Sequence, residues 1–162
     1  MNAVDLLIDQ HRLLEARMKE TQEAQEPQAI ARLLARVGDH LAVHLASEEE
    51  LFYPAVNARR TEDILLESLE EHLSLKRLLA DLLEMAPDER TFGPKFDVLA
   101  EQTLHHHREE EDDLFPKVRK LLDAQQLDEL GNRMLALQQQ MQLAGSPRQG
   151  VSGETDKAAA LR

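Results

Sequence analysis

The residues best suited to chemistry in this 162-residue chain are histidines and glutamates that recur at fixed intervals. His44, Glu48 and Pro54 are separated by four and six residues, and the same three residue types recur 62 positions later. The second copy consists of His106, Glu110 and Pro116. His11 and His72 lie upstream of the two copies and are 61 positions apart. The pattern predicts one helical hairpin that occurs twice.

Helical geometry would direct these side chains into the core. Residues four apart share one face of a helix, so each histidine points the same way as its glutamate. His11 occupies a position in its apolar stripe that packing would give to leucine. Burying such groups without partners costs several kcal/mol each, a cost that a bound cation removes. Imidazole with carboxylate suits iron, manganese or zinc, whereas calcium and magnesium prefer oxygen ligands.

The four histidines are also predicted to lie at one level of a bundle. In an antiparallel hairpin, residues at one level are equidistant from the turn. The midpoints between successive histidines fall near Pro27, Ala58 and Glu89, and each lies in a break between predicted helices. The symmetry of the two halves predicts two metal ions, with a solvent oxygen completing the bridge between them. One ion would be held by His11 and His44, the other by His72 and His106, and both by Glu48 and Glu110.

The remaining polar residues of these segments receive lesser roles. His107 and His40 flank the predicted site, and each is a possible additional metal ligand. His105 points about 100° away from its neighbour on the helix and is predicted at the surface. The acids next to the two glutamates are predicted to be solvated. They are Glu49, Glu50, Glu111, Asp112 and Asp113.

The elements that position these residues are predicted to be helices. Leu, Ala, Glu, Gln and Arg dominate, and only six glycines and six prolines occur. Apolar residues recur at helical spacing in four long segments and one shorter segment. We expect an all-α, up-down-up-down four-helix bundle over residues 1–122 and a fifth helix at about 125–143. Together these form one domain over 1–144, and residues 145–162 are expected to be a flexible, disordered tail.

Composition narrows the partners and the compartment. The net charge of −12 argues against a nucleic-acid partner, because phosphate contacts require clustered basic residues. No segment has the roughly 18 apolar residues of a membrane helix, so no membrane partner is expected. The absence of cysteine and of a basic, apolar leader fits a cytoplasmic protein. The fifth helix either covers the bundle or pairs with another copy, so a homodimer through this helix is possible.

The histidine and glutamate pattern resembles that of the hemerythrin-like, or HHE cation-binding, family over roughly residues 1–122. The resemblance implies a four-helix bundle with a non-haem di-iron centre. It also implies terminal ligation by the four histidines and bridging by Glu48 and Glu110. The family's oxygen carriers have a second histidine four residues after the third-helix ligand, where this chain has Lys76. This difference argues against classical reversible oxygen carriage.

The function that the resemblance implies is binding or sensing of a small ligand at two iron ions. Oxygen, peroxide and nitric oxide are candidate ligands, and the protein could instead sense iron itself. Zinc or manganese is less favoured than iron, and no catalytic side chain is assigned. The alternative is a di-iron enzyme that decomposes peroxide or another reactive small oxidant. A second alternative is a helical interaction module with an incidental zinc site.

Overall fold

The computed structural model describes all 162 residues, and the predicted all-helical bundle is confirmed. Two of the long helices are interrupted by π-helical turns and then continue. None of the helices combines the length and the apolar character that crossing a bilayer requires. The helices are α1 (Ala3–Glu23), α2 (Pro27–Ser47, continued by Glu48–Phe52 and Tyr53–Val56), α3 (Glu62–Leu83), α4 (Phe92–Glu109, continued by Glu110–Leu114 and Phe115–Leu121) and α5 (Ala124–Leu143).

Local sequence explains where several helices begin. The Asn2 side chain accepts a hydrogen bond from the Val4 amide at 2.8 Å and caps α1. Pro27 is the first residue of α2, a position that has no need of a backbone donor. Asp123 forms a capping box with Gln126 at the start of α5. The first residues of these three helices are therefore determined by the local sequence.

The predicted histidine level divides the core into two apolar clusters. Leu7 belongs to the first cluster, which also contains Phe52 and Phe115. Leu14, two turns further along α1, belongs to the second cluster. His11 lies between these two leucines on the same face of α1. The bundle therefore carries a polar layer between two layers of ordinary apolar packing.

The two π-helical turns begin at the two glutamates of the repeated motif. Their spans are Glu48–Phe52 and Glu110–Leu114. The amide of the residue that follows each turn donates to the carbonyl of the glutamate that begins it. A proline comes next in both copies, and a proline inside a helix removes one amide donor and crowds the preceding turn. A widened turn relieves that crowding at the level of the predicted metal ligands.

Helix α5 covers the bundle by packing against α1 and α2. Leu127, Leu130 and Met134 form its buried face. Gly131 permits a close approach of the chain start, because a Cβ there would lie 1.9 Å from the Met1 carbonyl oxygen. The apolar face of α5 is therefore buried within one chain, and the homodimer stays a prediction.

The segment after α5 differs from the expected disordered tail. Pro147–Glu154 forms a 3-10 helix that packs on α2 and α3. Val151 is buried in the second apolar cluster, and the Arg148 guanidinium pairs with Asp39 at 2.8 Å. A single apolar anchor and two ion pairs leave no periodicity in the sequence, which explains why a helical pattern is absent there.

Candidate metal centre

The structure brings the six residues of the predicted site together at one level. They come from four helices, and each is at most 1% exposed. The six residues are His11 of α1, His44 and Glu48 of α2, His72 of α3, and His106 and Glu110 of α4. The symmetric spacing of the histidines about the turns therefore produces the predicted convergence.

Each glutamate contacts histidines from both halves of the repeat. Oε1 of Glu48 lies 3.6 Å from Nε2 of His44 and 3.1 Å from Nε2 of His72. The same atom of Glu110 lies 3.2 Å from Nε2 of His11 and 3.4 Å from Nε2 of His106. Each carboxylate thus lies between the two predicted histidine pairs, as a bridging ligand would.

An outer ring of acceptors orients the four histidines. Nδ1 of each ring lies within hydrogen-bond distance of a side-chain oxygen, so Nδ1 carries the proton and Nε2 presents its lone pair inward. The contacts are His11 to Glu111 at 2.8 Å, His44 to Gln10 at 2.9 Å, His72 to Glu49 at 2.7 Å and His106 to Glu71 at 2.7 Å.

This outer ring follows the same duplication as the inner residues. Glu49 and Glu111 each follow a glutamate that is predicted to bridge, and each contacts the isolated histidine of the other hairpin. Gln10 and Glu71 each precede an isolated histidine. The prediction that Glu49 and Glu111 are solvated is wrong, because each carboxylate accepts a hydrogen bond from a histidine of another helix. Their neighbours, the residues at 50, 112 and 113, are exposed.

The fifth helix reaches the centre through two glutamines, which sequence reasoning missed. The Gln138 amide donates to Oε1 of Gln10 at 3.1 Å and to the Ser47 hydroxyl at 2.9 Å. Gln10 in return donates to Gln138 at 2.7 Å, and its Oε1 accepts from His44. α5 therefore fixes the orientation of a candidate ligand as well as covering the bundle.

Tyr53 is a further residue that sequence reasoning missed. Its hydroxyl donates to Oε2 of Glu110 at 2.8 Å and lies 3.1 Å from Nε2 of His72. Burial and the neighbouring carboxylates raise the pKa of Tyr53 well above its usual value, so the hydroxyl keeps its proton. It is the only tyrosine in the chain, and it stands where the second repeat has Phe115. This departure from the repeat is the feature of the sequence that could have indicated a role for Tyr53.

The flanking histidines separate into three cases. His107 is buried, stacks on His11 with ring centroids 3.7 Å apart, and donates from Nδ1 to Glu15 at 2.9 Å. Its ligand atom lies within 4.8 Å of those of His11 and His44. His40 is not brought into the cluster, since its Nδ1 faces the Arg17 guanidinium at 3.3 Å. His105 is exposed, as predicted.

Lys76 does not point into the centre. Its ammonium group donates to Oε1 of Glu49 at 2.9 Å and to Glu154 at 2.9 Å. Burial opposes the charge on Lys76, but these carboxylates more than offset that cost and raise its pKa. The lysine thereby connects the C-terminal 3-10 helix to the carboxylate that orients His72.

Protonation of the metal-free centre is set by burial and by close charges. Burial alone would lower the pKa of His106, but Glu110 and Glu48 raise it well above the usual value. Burial and the Glu110 charge raise the pKa of Glu48, whereas His106 and His11 offset burial and lower that of Glu110. A metal ion must therefore displace protons when it binds.

The donor atoms of the centre fit bound cations. Five buried atoms have no hydrogen-bond partner in the protein, and all five belong to the predicted ligands. They are Nε2 of His11, Nε2 of His44, both carboxylate oxygens of Glu48 and Oε1 of Glu110. Orphaned groups of this kind are rare in folded proteins because each costs about 1–3 kcal/mol.

The surrounding charge also suits two divalent cations. Six carboxylates touch a histidine of the cluster, and two basic side chains touch those carboxylates. Neutral imidazoles would leave four negative charges, which equals the charge of two divalent ions. The carboxylates are those of Glu15, Glu48, Glu49, Glu71, Glu110 and Glu111, and the basic groups are those of Arg12 and Lys76.

Removing the outer ring should weaken metal binding without removing a ligand. We expect Glu49→Gln or Glu111→Gln to lower metal affinity by about 10- to 100-fold, because a charged acceptor for the histidine proton is lost. Competition with a metal-binding dye measures the change. Glu50→Gln and Asp112→Asn are matched controls on the adjacent, exposed positions. Equal affinity in all four variants would show that the ring does not support the centre.

Comparisons with known proteins agree with this architecture. A family model described as the Hemerythrin HHE cation binding domain matches residues 2–118. A protein of Nostoc sp. (strain PCC 7120) described as a DNA nickase is 28% identical over 142 residues, which are 88% of this chain and 40% of the relative. The chain thus spans about two fifths of that relative's length.

A solved structure gives the same fold. The crystal structure of a Hemerythrin HHE cation binding domain-containing protein from Mycobacterium kansasii superimposes with a TM-score of 0.78. The alignment covers 89% of each chain at 23% identity. At that identity the likeness speaks for the fold alone.

Proposed function

Because the chain belongs to the hemerythrin HHE cation-binding domain family, we propose that it is a non-haem di-iron protein that binds or senses a small ligand. Oxygen, peroxide and nitric oxide are the candidate ligands, and iron itself is a further candidate. The proposed terminal ligands are the four converging histidines, and Glu48 and Glu110 are the proposed bridges. His107 is proposed as an additional ligand beside His11 and His44.

The observation that carries this proposal is the position of the two buried carboxylates. Each lies between histidines of both repeats, and three of their four oxygens have no partner in the protein. Nε2 of His72 and Nε2 of His106 lie 3.2 Å apart, a separation at which two lone pairs need a proton or a cation between them. Imidazole and carboxylate together suit iron, and zinc or manganese is less favoured.

The protein's own groups would perform three tasks. The outer acceptors hold the histidine protons at Nδ1, so that Nε2 is ready to bind. Burial of all six inner residues excludes bulk water and strengthens every charge interaction there. The Tyr53 hydroxyl fixes one oxygen of Glu110 and holds a proton beside the centre. Iron, when bound, supplies redox chemistry and coordination positions for the small ligand.

The alternative, an enzyme that decomposes peroxide or another small oxidant, is favoured by the placement of Lys76. Because its ammonium group is bound to two carboxylates, the His72 side has one protein ligand fewer than an oxygen carrier. A position left for exogenous ligands favours reaction over reversible storage. The buried proton on Tyr53 lies on that same side.

DNA nicking is not part of the proposal. The chain covers only 40% of the relative that carries this description, and its net charge of −12 opposes binding to a phosphate backbone. We propose a small-molecule partner and no nucleic-acid partner. As predicted from the sequence, we also propose no membrane partner and a cytoplasmic location.

Optical spectra of the iron-loaded protein test the proposed function. We expect addition of oxygen, peroxide or nitric oxide to change the absorption of the reduced protein. The oxygen adduct should be short-lived. Sustained consumption of many equivalents of peroxide per chain would favour the enzyme alternative over ligand binding. A spectrum unchanged by all three ligands would contradict ligand binding. A stable oxygen-bound form would instead favour reversible oxygen carriage.

A further inference from the structure

A cleft lined by basic residues lies at one end of the bundle. It is formed by the connection between α2 and α3 and by the last turns of α4, and its volume is about 400 Å³. Four basic side chains line it, and Ala58 and Leu121 supply apolar wall. The basic residues are Arg59, Arg60, Lys117 and Lys120.

None of these four side chains forms an ion pair. Five other lysines and arginines of the chain have a carboxylate oxygen within 4.0 Å, and they are Arg12, Lys76, Lys95, Arg119 and Arg148. The remaining lysines and arginines of the chain also lack such a partner, so what distinguishes these four is that they surround one cleft. Four unpaired cations around one cleft therefore form a local positive field in a strongly acidic protein.

The loop that carries two of these residues is held in one conformation. The Thr61 hydroxyl donates to the carbonyl of Val56 at 2.6 Å and accepts from the amide of Ala58 at 2.9 Å. Thr61 is buried, so water does not compete for these bonds. The backbone beneath Arg59 and Arg60 is thus fixed before any ligand arrives, which lowers the ordering cost of binding.

We propose that this cleft binds a small anion that carries two or more linked phosphates. A single phosphate monoester carries about −1.5 to −2 charges at neutral pH, so two linked phosphates call for several surrounding cations. Arginine binds phosphate oxygens through a planar, two-pronged donor, and lysine adds a point charge. The volume lies within the range of about 300–1,000 Å³ that small-molecule sites occupy. The apolar wall leaves room for a group attached to the phosphates, such as a nucleoside.

Duplex DNA fits the cleft less well than a small anion. A duplex needs basic residues that follow its backbone over many phosphates. Here the four cations are confined to one cleft, and the adjoining start of α3 carries the exposed acids Glu62 and Asp63. The net charge of −12 repels a duplex more strongly than a small anion, because the duplex carries many more charges.

Isothermal titration of the full chain with inorganic pyrophosphate, with ADP and with a short DNA duplex tests the proposal. We expect pyrophosphate and ADP to bind, and sulfate at matched ionic strength to bind at least about tenfold more weakly, a difference of about 1.4 kcal/mol. Arg60→Ala combined with Lys117→Ala should reduce pyrophosphate affinity by about tenfold or more. As a control, Arg32→Ala combined with Arg36→Ala removes two exposed, unpaired cations of α2. This variant should bind pyrophosphate as tightly as the parent protein.

Three results would overturn the proposal. They are no heat of binding with pyrophosphate or ADP, an equal loss of affinity in the two double variants, and tighter binding of the duplex than of pyrophosphate. Metal content separates this test from that of the proposed function, because none of the four residues contacts the buried histidines. The Arg60 and Lys117 variant should bind as much metal as the parent protein.

Discussion

Replacing His106 by alanine is expected to remove most of the bound metal, whereas replacing the adjacent His105 by alanine leaves the metal content unchanged. Nε2 of His106 lies 3.4 Å from Glu110, 3.9 Å from Glu48 and 3.2 Å from His72, so its loss affects ligands of both halves. The loss in affinity should exceed the roughly 10- to 100-fold that outer partners contribute.

His105 is a close control because it has the same side chain one residue away. Its side chain is 67% exposed and contacts Glu109 at 2.9 Å, and it lies only 3.9 Å from the Glu71 oxygen that does not bind His106. Metal analysis of the two purified variants gives the result directly, and circular dichroism confirms that each remains helical. Equal metal loss from both variants, or from neither, would contradict the assignment of His106.

The second large effect concerns Glu48, whose replacement should change stability in opposite directions with and without metal. We expect Glu48→Gln to stabilise the metal-free protein by about 1 kcal/mol at neutral pH, since it removes a carboxylate whose charge is disfavoured by burial and by the charge of Glu110. Burial and the Glu110 charge already raise the pKa of Glu48, which is the signature of that unfavourable environment. We propose that the parent protein retains the carboxylate at this cost because Glu48 binds cations.

The same substitution should abolish stabilisation by metal. A ligand at about 100 times its dissociation constant stabilises a protein by roughly 2.7 kcal/mol, and Glu48→Gln should lose most of this increment. Thermal unfolding with and without added iron measures both effects. Glu50→Gln changes an exposed acid of the same turn and should change neither. A variant that is less stable without metal but still stabilised by it would contradict the bridging role.

The convergence of the six inner residues could be predicted because their spacing obeys three constraints at once. The histidine and glutamate pairs share a helical face, the two copies repeat at one interval, and the histidines are symmetric about the turns. The outer ring obeys the same repeat, since Glu49 and Glu111 are 62 positions apart and Gln10 and Glu71 are 61 apart. It was missed because an acid one residue from a candidate ligand lies about 100° away from it around the helix, and its contact with a histidine of another helix depends on tertiary packing.

Other contributions depend on contacts between segments that no local pattern encodes. Gln138 reaches Gln10 across 128 residues of sequence, and Glu154 reaches Lys76 across 78. The stacking of His107 on His11 likewise depends on how α4 packs against α1. Such pairs arise from tertiary packing, so periodicity and capping rules carry no information about them.

Metal analysis of the purified protein shows whether one chain holds two iron ions between its two repeats. We expect about two iron atoms per chain, because the symmetric donor set divides evenly between two ions. Glu110→Gln should lower this ratio for both ions together. A ratio near one that is lost only with His11 and His44, or zinc in place of iron in protein from unsupplemented cells, would contradict a di-iron centre.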